Sequence, residues 1–262
     1  MFRSRRTSAE VGFAFIRFSM NETIKTMRAH RSIRKYKPDA VPREHILEAL
    51  AAGQAASTSS AVQSYCALHI TDDAKRQKIA DLCGPQQKVH DCGAFFVLCA
   101  DNRRHEIMHR QAGRSFDQRL EAFLVAVIDA TLFAQNFTLA FESMGYGTCY
   151  IGGLRNDLPA VNTVLNLPHG VFPVFGLCVG VPDEDPGHRP RLGPEAILHE
   201  NAYPSDEEVL SRIAAYDEVY AKYLDERGAK PGDWTRAMLR KFEHVQRAGL
   251  GAYYRSQGAR LD

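Results

Sequence analysis

Basic side chains are concentrated near the beginning of the chain, in residues 28–36, which read RAHRSIRKY. Five of them, including His30, Arg31 and Arg34, fall within eight positions, and Ser32 lies between them. Guanidinium groups and hydroxyls together suit an oxyanion, most often a phosphate, because the forked donors of arginine match its oxygens. The alternative is a solvated basic surface, which is the common origin of a short run of charge.

A second basic pair, Arg189 and Arg191, follows an apolar segment and a loop rich in Pro, Asp and Gly. Because a proline holds the two arginines in place, they would complete the anion site that Arg34 begins. A surface loop with basic side chains explains the pair equally well.

Two further segments are suited to contact a flat or phosphorylated ligand. Residues 57–60, STSS, offer hydroxyls and backbone amides, although a turn between a helix and a strand has the same composition. Residues 145–155, GYGTCYIGGLR, contain four glycines, which let a backbone pass close to a ligand. This spacing differs from the dinucleotide fingerprint G-x-G-x-x-G, and the chain has neither a P-loop nor the G-x-S-x-G of serine hydrolases.

The segment from His105 to His109 matches H-E-x-x-H, in which two histidines on one helix face bind zinc and the glutamate, here Glu106, acts as a base. The longer metalloprotease pattern needs a glycine where Ala112 stands, and three arginines in the same segment oppose a bound dication. We therefore expect a polar loop after a strand, with no metal. A zinc peptidase is the distant alternative.

The elements that must position these side chains follow from hydrophobic periodicity. The segment 116–144 is apolar nearly all round, which predicts a buried helix that ends at Gly145. There are too few strands for a large parallel sheet, so we predict an α+β architecture with helices around a small sheet. The other predicted helices are 43–55, 73–82, 206–226 and 233–248, and the predicted strands are 65–70, 95–100 and 172–181.

The composition is that of a folded globular protein, with 45% hydrophobic and 24% charged residues among 262. The net charge of +2 makes the chain a poor candidate for nucleic-acid binding, and the absence of a run of 18 apolar residues argues against a membrane partner. Six dispersed cysteines without a C-x-x-C pair are typical of free thiols, so we expect a cytoplasmic protein.

The first twenty residues have a basic start but no uninterrupted apolar stretch of the kind that a signal peptide requires. We therefore expect residues 1–20 to be a disordered extension. Residues 21–262 are expected to form a single domain whose helical C-terminal region begins at about 206.

Taken together, these segments resemble the nitroreductase family, and within it the NADPH-dependent, oxygen-insensitive group that includes the flavin reductase of luminous bacteria. The resemblance covers about residues 21–250, in matching order and spacing. It rests on HRSIRKYKPD at 30–39, ASTSSAVQSY at 56–65, AQNFTLAFESMGYG at 134–147, YIGGLRND at 150–157, FGLCVGVPDEDPGHRPRL at 175–192 and HENAY at 199–203.

The resemblance implies a homodimer that binds FMN, with a small mixed sheet surrounded by helices, a C-terminal helical excursion and active sites at the subunit interface. In this group the flavin N5 carries the chemistry, so no catalytic side chain is expected. NADPH and the acceptor would use one flavin face in turn, which gives ping-pong kinetics. The residues that the resemblance assigns to the flavin are His30, Arg31, Ser32, Arg34, Thr58, Ser59, Ser60, Gln86, Tyr150, Ile151, Gly152, Gly153, Arg189 and Arg191.

The resemblance also implies residues for the two substrates. Arg227 would pair with the 2′-phosphate of NADPH, and Lys230 stands in place of a second arginine that the group usually has a few residues further on. Ala61 replaces a side chain that is often a bulky aromatic, which implies a wider pocket. The implied reaction is two-electron reduction of nitroaromatics, quinones or similar small molecules, and the alternative is a flavin reductase that supplies reduced FMN.

Overall fold

The computed structural model describes residues 21–262, so the predicted extension at 1–20 lies outside the described residues. One antiparallel sheet has the strand order β1-β2-β4-β3. The parallel component is confined to a single bridge between Ser32 and Thr148. The strands are β1 (Tyr65–His69), β2 (Ala94–Asp101), β3 (Gly147–Ile151) and β4 (Val171–Gly180).

Helices surround this sheet, which confirms the predicted α+β class. Three of the predicted helices, at 43–55, 73–82 and 206–226, have almost the predicted ends. The helices are α1 (Glu22–Arg28), α2 (Arg43–Gln54), α3 (Asp73–Leu82), α4 (Lys88–Asp91), α5 (Arg103–Gln111), α6 (Leu120–Ser143), α7 (Leu158–Leu165), α8 (Asp206–Glu226), α9 (Trp234–Phe242) and α10 (Leu250–Ser256).

The core is built on both faces of β2, whose residues are all buried. Successive side chains of a strand point to opposite faces. Phe96 therefore joins a cluster with Phe133 and Phe137 of α6, while Phe95 joins a separate cluster on the other face. Gly53 lets α2 approach α6, because a Cβ at this position would collide with the ring of Phe133.

The helix α6 is not buried all round, so this part of the prediction is wrong for the single chain. Large apolar side chains recur every fourth residue along one face and remain 40–52% exposed; they are Leu120, Leu124, Ile128 and Leu132, which we call the α6 stripe. Among residues 21–262, α6 is also the one helix that passes a membrane-span test of length and composition. Its inner face, however, packs on the sheet as a core helix does.

Three local elements differ from the prediction. No strand was predicted at 147–151, where glycines flank the short β3. The expected polar loop after β2 is the helix α5, whose sequence RRHEIMHRQ is strongly polar and which has no buried residue. The predicted helix 233–248 ends at Phe242, since Arg247 has a left-handed φ of 53°, and α10 follows separately.

Candidate functional site

The two basic segments lie together in the structure, although about 150 residues separate them in the chain. They enclose a cavity of about 140 Å³, which we call the arginine cavity. Most of its polar lining comes from residues that the sequence had singled out: His30, Arg31, Ser32, Arg34, Arg189, Arg191 and Arg227. This concentration of guanidinium groups and a hydroxyl fits a phosphate-sized dianion.

Backbone pairing holds the walls of the arginine cavity in place. Ile33 N donates to Thr148 O at 2.9 Å, which fixes the first basic segment to β3. The carboxylate of Glu184, beyond β4, accepts from the backbone N–H groups of Arg34 and Lys35 at 2.5 and 3.1 Å. The short segment after Ser32 is therefore attached to both β3 and the loop that leads to the second arginine pair.

One carboxylate lies behind the arginine cavity, on the last turn of α6. Glu142 Oε1 is 2.6 Å from His30 Nδ1 and accepts from Thr148 Oγ1 at 2.7 Å. The hydrogen bond from His30 to Glu142 raises the pKa of the imidazole, while partial burial and the charge of Arg191 oppose that rise. The neighbouring carboxylate thus favours the charged imidazolium.

β3 leads from the arginine cavity to the glycine pair. Thr148 lies at its cavity end, and Gly152 follows its last residue, about 13 Å further on at about 3.3 Å per residue. Gly153 lies against Gln86, because a Cβ there would collide with the Gln86 amide and the Cys83 carbonyl. Tyr150, Ile151, Gly152 and Gly153 therefore follow one another at the end of β3, and Gln86 packs against Gly153.

Tyr150 and Ile151, which precede the glycine pair, are oriented into the interior rather than toward solvent. Ile151 is buried, and the Tyr150 hydroxyl accepts from Thr138 Oγ1 at 2.9 Å. Burial raises the pKa of Tyr150 to about 12, so the phenol stays protonated at physiological pH.

The hydroxyl-rich loop occupies a different place. The fully buried carboxylate of Asp129, halfway along α6, accepts from Ser59 N at 3.0 Å and from Ser64 N at 3.2 Å. Asp129 and Glu142 are 13 residues apart on one helix, which corresponds to about 20 Å. The single chain therefore does not bring Thr58, Ser59, Ser60 and Ala61 to the arginine cavity.

The backbone of this loop is strained. Ser60, Ala61 and Gln63 have φ values of 48°, 59° and 53°, a left-handed conformation that costs most non-glycine residues free energy. Such conformations persist where the surroundings enforce them, and they cluster at ligand sites. Asp129 supplies the enforcing contacts.

With this geometry established, comparison with known proteins identifies the family. The sequence profile described as "Nitroreductase family" matches residues 27–181, and that of the "Nitroreductase family, C-terminal domain" matches residues 189–262. The chain belongs to the nitroreductase family. The suspected resemblance is thereby confirmed.

Individual relatives of this nitroreductase cover almost its whole described length. It is 39% identical to the FMN reductase (NADPH) of Bacillus subtilis, over 91% of this chain and 98% of that protein. It is 36% identical to the oxygen-insensitive NADPH nitroreductase of Salmonella typhimurium, over 91% and 98% of the two chains. The solved NADPH:FMN oxidoreductase of Vibrio harveyi in complex with NAD+ superposes with a TM-score of 0.84 at 35% identity, over 91% of this chain and 99% of that one.

The two residues expected to bind NADPH, Arg227 and Lys230, differ in their position relative to the arginine cavity. Arg227 caps α8 and lines the arginine cavity, where its guanidinium donates to Pro186 O and to Tyr223 Oη. It also lies over the Tyr223 ring, 5.4 Å from the centroid. Lys230 is exposed in the loop after α8 and does not line the cavity.

Sequence reasoning missed four residues at the candidate site or beside the glycine segment. Tyr223 precedes Arg227 by four residues, and this helical spacing was the available signal. Arg247 Nε donates to Asn156 Oδ1 at 3.0 Å and lines a separate cavity of about 240 Å³ beside the glycine segment. Glu142 and Asp129 are isolated acids in an apolar helix, and only their partners far along the chain reveal their roles.

The H-E-x-x-H segment of the nitroreductase does not form a metal-binding set. His105 Nε2 lies 3.0 Å from Val62 O, and His109 Nδ1 lies 2.8 Å from His105 O. Glu106 accepts from Gln118 and lies 3.6 Å from Arg103. Within residues 21–262, no three His, Cys, Asp or Glu side chains are grouped so as to hold a metal ion.

Replacing Asp129 by alanine is expected to lower the free energy of unfolding by about 2–4 kcal/mol, because two backbone N–H groups lose their acceptor. Urea unfolding of the purified variant measures this change. Asp39→Ala, which removes an exposed carboxylate, is the matched control and should change stability by less than about 0.5 kcal/mol. Equal stabilities of the two variants would refute the anchoring role.

Proposed function

We propose that this chain is an FMN-dependent oxidoreductase that uses NADPH to reduce nitroaromatics, quinones or similar small acceptors. The observation that carries the proposal is the arginine cavity at one end of β3 and the Gln86–glycine pair at the other. An extended flavin mononucleotide needs both ends, namely cations for its phosphate and close backbone for its ring. Two relatives, an FMN reductase (NADPH) and an oxygen-insensitive NADPH nitroreductase, have names that agree with it.

The protein's contribution to this chemistry is binding and orientation. When bound, FMN supplies the two-electron chemistry that connects a nicotinamide to an acceptor. Arg34, Arg189 and Arg191 would hold the phosphate, and Ser32 would add a hydroxyl donor. The backbone at Gly152 would lie along the ring edge, and Gln86 would provide an amide there. None of these steps requires a side-chain acid–base pair.

We further propose that two copies of the chain form the complete site. The α6 stripe is an apolar surface that a second copy would cover. The second copy would also cover Leu239 and Phe242, which are exposed on α9. The 58–61 loop is anchored next to this stripe, since Asp129, which accepts from Ser59 N, directly follows Ile128 in the sequence. A homodimer through α6 would place the partner's loop near the flavin, with Ala61 beside the acceptor.

Free thiols support a cytoplasmic location for this enzyme. All six cysteines lie within the described residues and none is paired in a disulfide. Disulfide-free chains of this size are typical of reducing compartments.

The test of the proposed reaction is steady-state kinetics of the FMN-loaded protein with NADPH and either a nitroaromatic or a quinone. Parallel double-reciprocal lines are expected when both substrates are varied, because one site serves them in turn. Intersecting lines, or no turnover with either acceptor, would refute the proposal.

A flavin reductase is the second candidate function. The 39% identical relative is named an FMN reductase, and Arg34, Arg189 and Arg191 are all exposed in the single chain, which suits exchange of the flavin with solvent. Saturable NADPH oxidation with added free FMN as the acceptor, exceeding the rate with quinone, would favour this function.

Replacing Arg227 by alanine is expected to raise KM for NADPH about 10-fold and to leave KM for NADH within about two-fold. The reason is that only NADPH carries the 2′-phosphate that the Arg227 guanidinium would bind, and one charge-assisted hydrogen bond corresponds to about this factor. Lys222→Ala, on the exposed face of the same helix, is the control. Equal effects on both nucleotides would contradict the assignment.

A further inference from the structure

The pair formed by His30 and Glu142 joins three elements at the arginine cavity. Both the imidazole and the Thr148 hydroxyl contact the same carboxylate oxygen of Glu142, at 2.6 and 2.7 Å. Thr148 is buried, and the Glu142 side chain is only 11% exposed. A single oxygen thus ties the end of α6 to the basic segment and to β3.

This arrangement determines which imidazole nitrogen can serve the cavity. Nδ1 of His30 faces Glu142, so Nε2 is the ring nitrogen that remains for a ligand, and His30 lines the arginine cavity. A second cavity, of about 380 Å³, lies on the Glu142 side of the imidazole and is lined by Tyr146 and Pro182 among others. The imidazole therefore separates the carboxylate side from the arginine side.

Without Glu142, the positive charges around His30 would favour the neutral imidazole. On the arginine side, positive charges outnumber the two nearby acids, Glu184 and Asp185, which accept from the backbone of Arg34 and pair with Arg31, respectively. Only Glu142 contacts the imidazole itself among the described acids. The charged groups that line the two cavities around His30 are Lys25, Arg31, Arg34, Glu142, Arg189, Arg191 and Arg227.

We propose that Glu142 is a positioning residue that holds His30 as a charged donor, with Nε2 directed at the flavin phosphate. The inference rests on the proposed function, because it assumes that the arginine cavity receives that phosphate. Glu142 itself never touches the cofactor. It acts by fixing the imidazole ring and by supplying the negative charge that balances the imidazolium beside several arginines.

The consequence is a pH dependence of phosphate binding. Because the hydrogen bond to Glu142 raises the pKa of His30, the imidazolium persists to higher pH than it would alone. Affinity for FMN should be full below the raised pKa of His30 and should fall as pH rises through it. Without the carboxylate, the same fall should occur at lower pH.

The experiment compares Glu142→Gln with the parent and with Glu121→Gln, the same substitution at an exposed position of the same helix. Binding of FMN and of riboflavin to the flavin-stripped protein is titrated by fluorescence between pH 7 and 9, where a phosphate with a pKa of about 6 stays dianionic. At pH 7.5, Glu142→Gln should weaken FMN binding about 10-fold and riboflavin binding less than about two-fold. Glu121→Gln should behave like the parent.

A second readout is independent of any flavin. The His30 resonance of the stripped protein, assigned with His30→Asn, should titrate at lower pH in Glu142→Gln than in the parent. An unchanged titration would refute the effect of Glu142 on the charge of His30. Equal losses of FMN and riboflavin affinity would refute the role of this pair in binding the phosphate. Failure of the parent to bind either flavin would overturn the proposed function, while the resonance still reports on the pair.

Discussion

Replacing Arg34 by alanine is expected to weaken FMN binding by about 100-fold, while riboflavin binding changes little. Arg34 lines the arginine cavity beside Ser32, and its backbone is held by Glu184, so the loss removes one charged donor without releasing the loop. A charge-assisted hydrogen bond of about 1.5–3 kcal/mol corresponds to roughly 10- to 100-fold, and we place Arg34 at the upper end because its donors are forked.

The matched control is Arg110→Ala, which removes an exposed arginine of α5 that lines none of the cavities described above. Fluorescence titration of both flavins against the three proteins gives the comparison. Riboflavin affinity that falls in parallel with FMN affinity would contradict the phosphate assignment, since riboflavin lacks that group.

Replacing both Leu124 and Ile128 by lysine is expected to convert the proposed dimer into a monomer that no longer retains flavin. These positions form the centre of the α6 stripe, and two ammonium groups would oppose burial of that stripe against a second copy. Because the 58–61 loop lies about 20 Å from the arginine cavity along α6, a monomer would have only half of the site. The loss of FMN affinity should exceed 100-fold.

Light scattering gives the mass of each species, with 29.3 kDa expected for the monomer. Met108→Lys, at an exposed methionine of α5, is the control for an added charge on an apolar surface residue. A double variant that remains a dimer would contradict the interface, and a monomer with the parent's affinity for FMN would contradict the shared site.

The sequence alone was sufficient where one side chain type or one period dominates. The buried strand β2 and the long helix α6 follow from their apolar runs, and the arginine cavity follows from basic residues that are rare in such density. The strand β3 was not predicted because its five residues begin with Gly147 and are followed by two more glycines, which weaken a strand pattern. Its pairing with β4 becomes evident only in three dimensions.

The acids at the site were beyond sequence reasoning for a different reason. Glu142 and Asp129 each stand alone in an apolar helix, and their partners lie 112 and 70 residues away. The exposed face of α6 was also unpredictable, since an apolar side chain that faces the core and one that faces another subunit have the same hydropathy. The roles of the two acids and the exposure of the α6 face can therefore be assigned only when the fold is known.

The most direct test of the central claim is the visible absorption spectrum of the purified protein, recorded with FMN present and then after addition of NADPH in the absence of oxygen. We predict flavin bands that remain with the protein after gel filtration and that bleach when NADPH is added. A protein that retains no flavin after incubation with FMN, or whose flavin bands persist in excess NADPH, would contradict the account.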